Sequence, residues 1–309
     1  MSGKISVVGA GNVGASCAQR IAERNHADVI LVDVVPGLPQ GKALDILESA
    51  PILKFDVQIT GTNDYKETAG SEVVVITAGL PRKPGMTRDE LLLANMKIVG
   101  DVVKNIVKQS PGCIIVMVTN PLEAMTYLAI RTSKFPRERV VGLSGVLDSA
   151  RFSSFIAAEL KVSPKDVSAC VLGAHGKNML VIPRLTTVKG KPVTEMLPKA
   201  TIDRLVARTI EGGGEIVGLL KTGSAFYAPS AAATRMVEAI ILDKKEVLPC
   251  AAYLQGEYGI KGAVIGVPVK LGRKGIEQIV ELELTKEEKQ ALAHSASGFQ
   301  ELVKLMKLG

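Results

Sequence analysis

The segment "ISVVGAGNVGASCAQRIAERNHADVILVDV", residues 5–34, constrains the fold more than any other part of the chain. Two short Val/Ile-rich runs are separated by a glycine-rich turn and a helical stretch near 13–24. Both runs are apolar on both faces, so as strands they must be covered from both sides, as in a parallel sheet. The rhythm then repeats. Further strand candidates are "DVQITGT" (56–62), "EVVVITA" (72–78), "CIIVMVTN" (113–120) and "RVVGLSG" (139–145), with helices near 39–50, 87–109 and 121–133. Strands alternating with helices predict an α/β fold: a doubly wound parallel sheet of Rossmann type with right-handed crossovers.

After about residue 145 the rhythm changes. A helix over 148–160 leads to "VSACVLGAHG" (167–176), and "MLVIPRLTTVKGKPV" reads as a hairpin turning at Lys189-Gly190-Lys191. Long helices follow near 201–220 and 229–242, then the β-rich runs "EVLPCAAYLQGEYG" and "GAVIGVPVKLG", then a closing helix capped by Thr285. This spacing predicts an α+β second domain and a boundary near 143–146, dividing the chain into 1–145 and 146–309. No linker or low-complexity tract separates the halves, so they are expected to pack rigidly with the site between them.

"GAGNVG" follows the first strand directly and opens a helix. In the turn from Gly9 through Ala10, Gly11, Asn12 and Val13 to Gly14, the first glycine allows the tight turn. The second lets backbone approach a pyrophosphate, and the third allows close helix–strand packing. The helix N-terminus offers free N–H donors to the anion. Asp33 closes the second strand 19 residues after Gly14. A carboxylate there accepts from a ribose 2′-hydroxyl and repels a 2′-phosphate, which favours NAD over NADP. The bland alternative is a structural glycine turn with a helix-capping Asp.

Composition narrows the class. With 47% hydrophobic and 22% charged residues, this is a globular profile. No apolar run approaches the roughly 20 residues of a membrane span, and "MSGK" leads straight into the first strand, so a cytoplasmic location is expected. The four cysteines are spread without metal-ligand spacing, which predicts buried reduced thiols and no metal. Net charge is +7, but the basic residues are scattered and not interleaved with aromatics; no nucleic-acid or membrane partner is expected.

Two places carry the chemistry. In "GLPRKPGMTRDELL", residues 79–92, Thr87 and Glu90 read as a capping box, which puts Arg88 in a first helical turn where the dipole disfavours a cation. Arg82 sits on a stiff segment between Pro81 and Pro84. Such an arrangement calls for an anion. Of the three histidines, only His175, in "GAHG", ends an apolar strand among small neighbours that give access. In "GVLDSARF", Asp148 and Arg151 share one helical face. They are either an ordinary ion pair, or Asp148 reaches the imidazole while Arg151 grips a substrate carboxylate. An anionic neighbour raises a histidine pKa, which suits a group that takes and releases protons near neutrality.

"GAGNVG", Asp33, "PRKPGMTR", "TNP", "LDSAR" and "GAHG", in this order and at these spacings, resemble the lactate/malate dehydrogenase family over nearly the whole chain. Within it the chain is similar to the malate dehydrogenases of lactate dehydrogenase-like type. The resemblance implies an NAD-binding domain followed by a catalytic domain, and hydride transfer between NAD and a 2-hydroxy or 2-keto acid. His175 is then the acid/base and Asp148 its orienting partner. Arg151 holds the C1 carboxylate through a bidentate fork, and Arg88 polarises the reacting carbonyl. Asn120 meets nicotinamide and substrate, while Asn95 and the backbone of Val118 and Thr119 add cofactor contacts. Relatives of this family also carry a cis peptide at the position of Asn120-Pro121.

Arg82 falls where lactate-specific members carry a glutamine, so a second carboxylate, and hence a small dicarboxylate substrate, is implied. Ala225 leaves room for the larger acid. The resemblance also implies a homo-oligomer, a tetramer before a dimer. Two alternatives stand beside this reading: a lactate or other 2-hydroxy acid dehydrogenase, and a non-catalytic NAD-binding redox sensor.

Overall fold

The structure is a computed structural model that describes residues 3–81 and 87–307, without the side chain of Arg88. The first half runs β1 (Gly3–Val8), α1 (Asn12–Glu23), β2 (Ala27–Val32), α2 (Leu38–Glu48), α3 (Ala50–Leu53) and β3 (Ile59–Thr62). It continues through β4 (Val73–Ile76), α4 (Arg88–Gln109), β5 (Ile114–Met117), α5 (Leu122–Ser133) and β6 (Val140–Gly142). The strands lie in the order β3-β2-β1-β4-β5-β6 and all pair parallel, the doubly wound arrangement expected. β1, β4 and β5 are buried almost throughout, which is why their sequences are apolar on both faces.

The second half begins with α6 (Gly145–Leu160), β7 (Val167–Ser168), β8 (Val171–Gly173), β9 (Met179–Val181), β10 (Thr187–Val188) and β11 (Lys191–Pro192). α7 (Lys199–Leu220), α8 (Tyr227–Ile241), β12 (Glu246–Gln255), β13 (Lys261–Gly272), β14 (Gly275–Ile279) and α9 (Lys286–Met306) complete it. Thr285 caps α9 as expected, and Glu288 completes a capping box with it. The hairpin at Lys189-Gly190 forms between β10 and β11. The sequence before it, however, splits: β9 turns back onto β8, and a short 3₁₀ turn at Pro183–Leu185 separates it from β10. Pro183 lacks an N–H and interrupts what otherwise reads as one long strand.

The halves share one sheet. β12 pairs antiparallel with β6 through Ala251 and Gly142, and β13, β8 and β9 continue beyond it. A second tie runs through the helices. Arg24, just past α1, pairs with the buried Glu238 of α8, and Lys244 reaches the same carboxylate at 3.2 Å. α1, which follows the glycine turn, is therefore held by the second half of the chain. No described helix is long and apolar enough to cross a membrane.

Candidate functional site

The glycine turn closes between β1 and α1. Gly9 adopts φ +106°, in the left-handed region that favours glycine. A Cβ on Gly14 would stand 1.7 Å from the Gly9 carbonyl oxygen, so helix and turn touch only because that atom is missing. A Cβ on Gly11 would meet nothing within 4 Å, which leaves the backbone open to a ligand at the mouth of the turn. No side chain caps α1, so its first-turn N–H groups stay free for an anion. Open space over Gly11 and an uncapped helix end are what a dinucleotide pyrophosphate requires.

Asp33 lies one residue past β2. Its Oδ2 accepts from Ala10 N–H at 2.6 Å and its Oδ1 from Val35 N–H at 3.0 Å. The carboxylate thus ties the glycine turn to the second strand. Each oxygen keeps a further lone pair for an incoming hydroxyl.

The catalytic residues expected from sequence meet at the same carboxyl edge of the parallel strands, beyond β5 and β6. His175 follows β8, and its Nδ1 lies 2.9 Å from Oδ2 of Asp148 on α6. Arg151, one turn further along α6, bonds Oδ1 of the same carboxylate from Nη1 at 3.3 Å. Asp148 therefore meets both the Arg151 guanidinium and the His175 ring. Asp148 is 1% exposed, and Arg151 Nε is buried without a hydrogen-bond partner among the described residues. A buried guanidinium N–H left unsatisfied is costly. Burial alone disfavours the charged form of His175. The Asp148 carboxylate and its hydrogen bond outweigh that, and the pKa stands above the ordinary histidine value.

A cleft of about 460 Å³ brings both ends together. Val13, Val118, Asn120, Arg151, His175 and Ala225 line it. The Asn120-Pro121 peptide is cis. Thr87 and Glu90 form the expected capping box, with Arg88 as the first residue of α4. Arg82 and the side chain of Arg88 lie outside the described residues.

Asn95 is 1% exposed, and its amide bonds Asn120 O at 2.7 Å and both backbone groups of Leu80, so it braces the segments that lead into the cleft. Thr119 is likewise buried, its hydroxyl on Ala78 O at 2.8 Å, and Ala10 contributes its backbone alone.

Sequence reasoning misses two groups here. Glu123, buried in the first turn of α5, accepts from the His175 N–H through Oε1 at 2.6 Å. An acidic residue at a helix start reads as a favourable dipole contact, and nothing local signals its burial. Ser144, buried between β6 and α6, takes φ 34°, ψ −121°, an uncommon conformation for a residue with a side chain, and also lines the cleft.

Comparisons with known proteins agree with this geometry. Residues 3–142 match the model of the lactate/malate dehydrogenase NAD binding domain, and residues 145–307 match that of the family's α/β C-terminal domain. A malate dehydrogenase of Dehalococcoides mccartyi is 58% identical over 95% of either chain. The solved malate dehydrogenase of Salinibacter ruber superposes with a TM-score of 0.95 at 50% identity, over 98% of this chain and 97% of that one. A Cryptosporidium parvum lactate dehydrogenase, solved with lactic acid and nicotinamide adenine dinucleotide, gives 0.96 at 39% identity, over 100% and 99%. Backbone shape alone therefore does not separate the two substrate classes, while the family itself is plain: this chain belongs to the lactate/malate dehydrogenases.

Proposed function

We infer that the chain is an NAD-dependent malate dehydrogenase, catalysing reversible hydride transfer between malate or oxaloacetate and NAD. The observation that carries the chemistry is the cluster of His175, Asp148 and Arg151, with a guanidinium N–H unsatisfied in a cleft that begins at the glycine turn. The malate assignment draws on relatives of 52–58% identity that bear that name, and on Arg82 in the sequence.

Gly9 to Gly14, Asp33, Asn95, the backbone of Val118 and Thr119, and Asn120 would hold the cofactor. Bound NAD supplies a hydride acceptor at one face of the substrate. Arg151 grips the C1 carboxylate, and Arg82 the second one. Arg88 steadies the oxygen at C2. His175 takes the hydroxyl proton on Nε2 as that carbon gives up its hydride, while Nδ1 stays on Asp148. In the reverse direction His175 returns the proton to the carbonyl oxygen. Asp148 keeps the ring oriented and favours the imidazolium. Ala225 leaves space for the longer acid.

On this reading residues 1–145 carry the cofactor and 146–309 the substrate chemistry, with substrate roles also for Arg82, Arg88 and Asn120 of the first. A cytoplasmic location fits buried free cysteines, whose thiol pKa values burial raises at Cys17 and Cys113. A homo-oligomer fits exposed apolar residues such as Leu44, Ile52 and Leu53 on α2 and α3, and Val217, Leu219 and Tyr227 near the α7–α8 corner. A tetramer before a dimer rests on the resemblance alone. The decisive assay follows NADH oxidation at 340 nm with oxaloacetate, pyruvate and 2-ketobutyrate in parallel. Oxaloacetate is expected to be turned over far faster. Pyruvate in the lead returns the lactate reading, and no oxidation with any of the three leaves the redox-sensor reading.

A further inference from the structure

The loop carrying His175 is held from three sides. Ser295 of α9 accepts from Ala174 N–H at 2.8 Å and donates to Asn178 O at 2.6 Å, clasping the loop on either side of the histidine. Asp148 of α6 takes the ring through Nδ1. Glu123 of α5 takes the His175 backbone N–H through Oε1 at 2.6 Å.

A backbone N–H needs only a neutral acceptor. A carbonyl or a glutamine would serve without the penalty of burying a charge. The chain instead places a carboxylate there, beside a histidine that already has one. We propose that Glu123 is a positioning residue for His175: it fixes the backbone that carries the imidazole and adds a second negative charge that, with Asp148, sets how tightly the ring holds its proton. The inference rests on His175 being the acid/base.

The charges around His175 give this a sign. Asp148 from α6 and Glu123 from α5 favour the imidazolium, and Arg151 from α6 opposes it. Lys177, on the loop itself, and Glu211 of α7 line the same cleft. The α9 contact is the neutral Ser295, and the α4 side chain of Arg88 lies outside the described residues. Burial pushes the Glu123 carboxyl above the usual glutamate range, while the His175 N–H and imidazolium pull it down and Asp148 adds to the rise. Each proton that leaves the imidazole therefore weakens what keeps Glu123 ionised, and the two groups titrate as a coupled pair.

The test is the pH dependence of kcat/KM in the NAD-saturated enzyme. Malate oxidation needs a neutral His175 and rises with pH through its pKa; oxaloacetate reduction, with NADH bound, needs the imidazolium and falls through it. Glu123→Gln keeps an acceptor oxygen and removes the charge. Both limbs are expected to move to lower pH by about one unit, with plateau kcat within a few-fold of the parent. Ser295→Ala is the contrast: it lowers the plateau and leaves the limbs in place.

An active Glu123→Gln enzyme with unmoved limbs overturns the proposal. If that variant does not fold, carbon NMR on the parent protein bound to NAD decides. The Glu123 carboxyl should show an ionised signal while the His175 ring is protonated, and a carboxyl that stays protonated through the whole titration of the ring overturns the proposal as well. His175→Asn keeps the two levels apart. Near-normal turnover there removes the acid/base assignment, and this inference with it. An inactive His175→Asn beside unmoved Glu123→Gln limbs removes the inference alone.

Discussion

The two ends of the cleft are built in opposite ways. The cofactor end is contiguous: Gly9 to Gly14 make the turn, and Asp33 arrives from the next strand to bind Ala10 N–H. Its geometry is set by covalent neighbours and by the absence of two Cβ atoms. The proton end is assembled from a distance. His175 comes from the loop after β8, Asp148 from α6, Glu123 from α5 and Ser295 from α9. A local device tolerates little steric change but asks nothing of the rest of the fold. A distributed one depends on packing throughout, and removing one of its members alters the chemistry more than the binding.

The largest effect is expected at the proton end. His175→Asn should lower kcat by about 10²–10⁴-fold, the usual worth of a positioned acid/base, while NADH affinity measured by fluorescence stays within a few-fold of the parent. Loss of NADH binding in step with kcat would mean that the two ends are not separable. Next comes Arg82→Gln. Removing the partner of one substrate carboxylate should cost about 1.5–3 kcal/mol per charge-assisted bond, and kcat/KM for oxaloacetate should fall by roughly 10²-fold. Pyruvate should improve by less, since the pocket around Ala225 stays wide for a methyl group. Arg88→Gln should weaken both substrates, because its proposed partner is the shared C2 oxygen. Equal losses with Arg82→Gln would make Arg82 a general loop residue and take away a main support of the malate assignment.

The same contrast explains what could be read from sequence. The parallel sheet and the tight glycine turn at Gly9, Gly11 and Gly14 are legible because each rests on patterns among residues adjacent in the chain. His175, Asp148 and Arg151 are legible for another reason: only three histidines exist, one in an accessible setting, and Asp148 and Arg151 share a helical face. Glu123 and Ser295 are not legible. Each sits in an ordinary helical pattern, and only the approach of α5 and α9 to the loop after β8 gives them a role. The bonds of the Asn95 amide to Leu80 and Asn120 are hidden in the same way, since they join α4 to segments distant in the chain. The join of β6 to β12 is equally hidden, since it pairs residues far apart in the chain through a single register position.

Within the cofactor end, two glycines should respond differently. Gly14→Ala drives a Cβ to 1.7 Å from the Gly9 carbonyl oxygen, and backbone must move. Overpacking of this kind costs about 1–3 kcal/mol, more than the roughly 1 kcal/mol that alanine gains over glycine inside a helix. The ligand-free protein should melt several degrees lower. Gly11→Ala meets no atom within 4 Å and sits at φ −66°, ψ −173°, which alanine adopts freely. Its melting temperature should hold or rise, while the Kd for NAD worsens because the new methyl occupies the approach to the pyrophosphate. If both variants melt like the parent, the steric account of the turn is wrong.

The smallest effect is expected at Asp33, whose carboxylate fastens the glycine turn and is proposed to meet the cofactor ribose as well. Asp33→Ser removes the charge that repels a 2′-phosphate, so the ratio of NADPH to NADH turnover should rise. The same change releases Ala10 N–H and Val35 N–H from their acceptors at 2.6 and 3.0 Å. NADH affinity should therefore fall as well, and the shift in ratio should come more from loss of NADH than from gain of NADPH. Asp33→Asn separates the two jobs. Its amide oxygen can still accept from Ala10 N–H, so the turn stays fastened while the repulsive charge is gone. Asparagine should thus raise the NADPH ratio with a smaller loss of NADH affinity than serine. If serine and asparagine both leave the ratio unchanged and only lower the melting temperature, Asp33 is a fastener of the glycine turn, and cofactor choice lies elsewhere in the cleft.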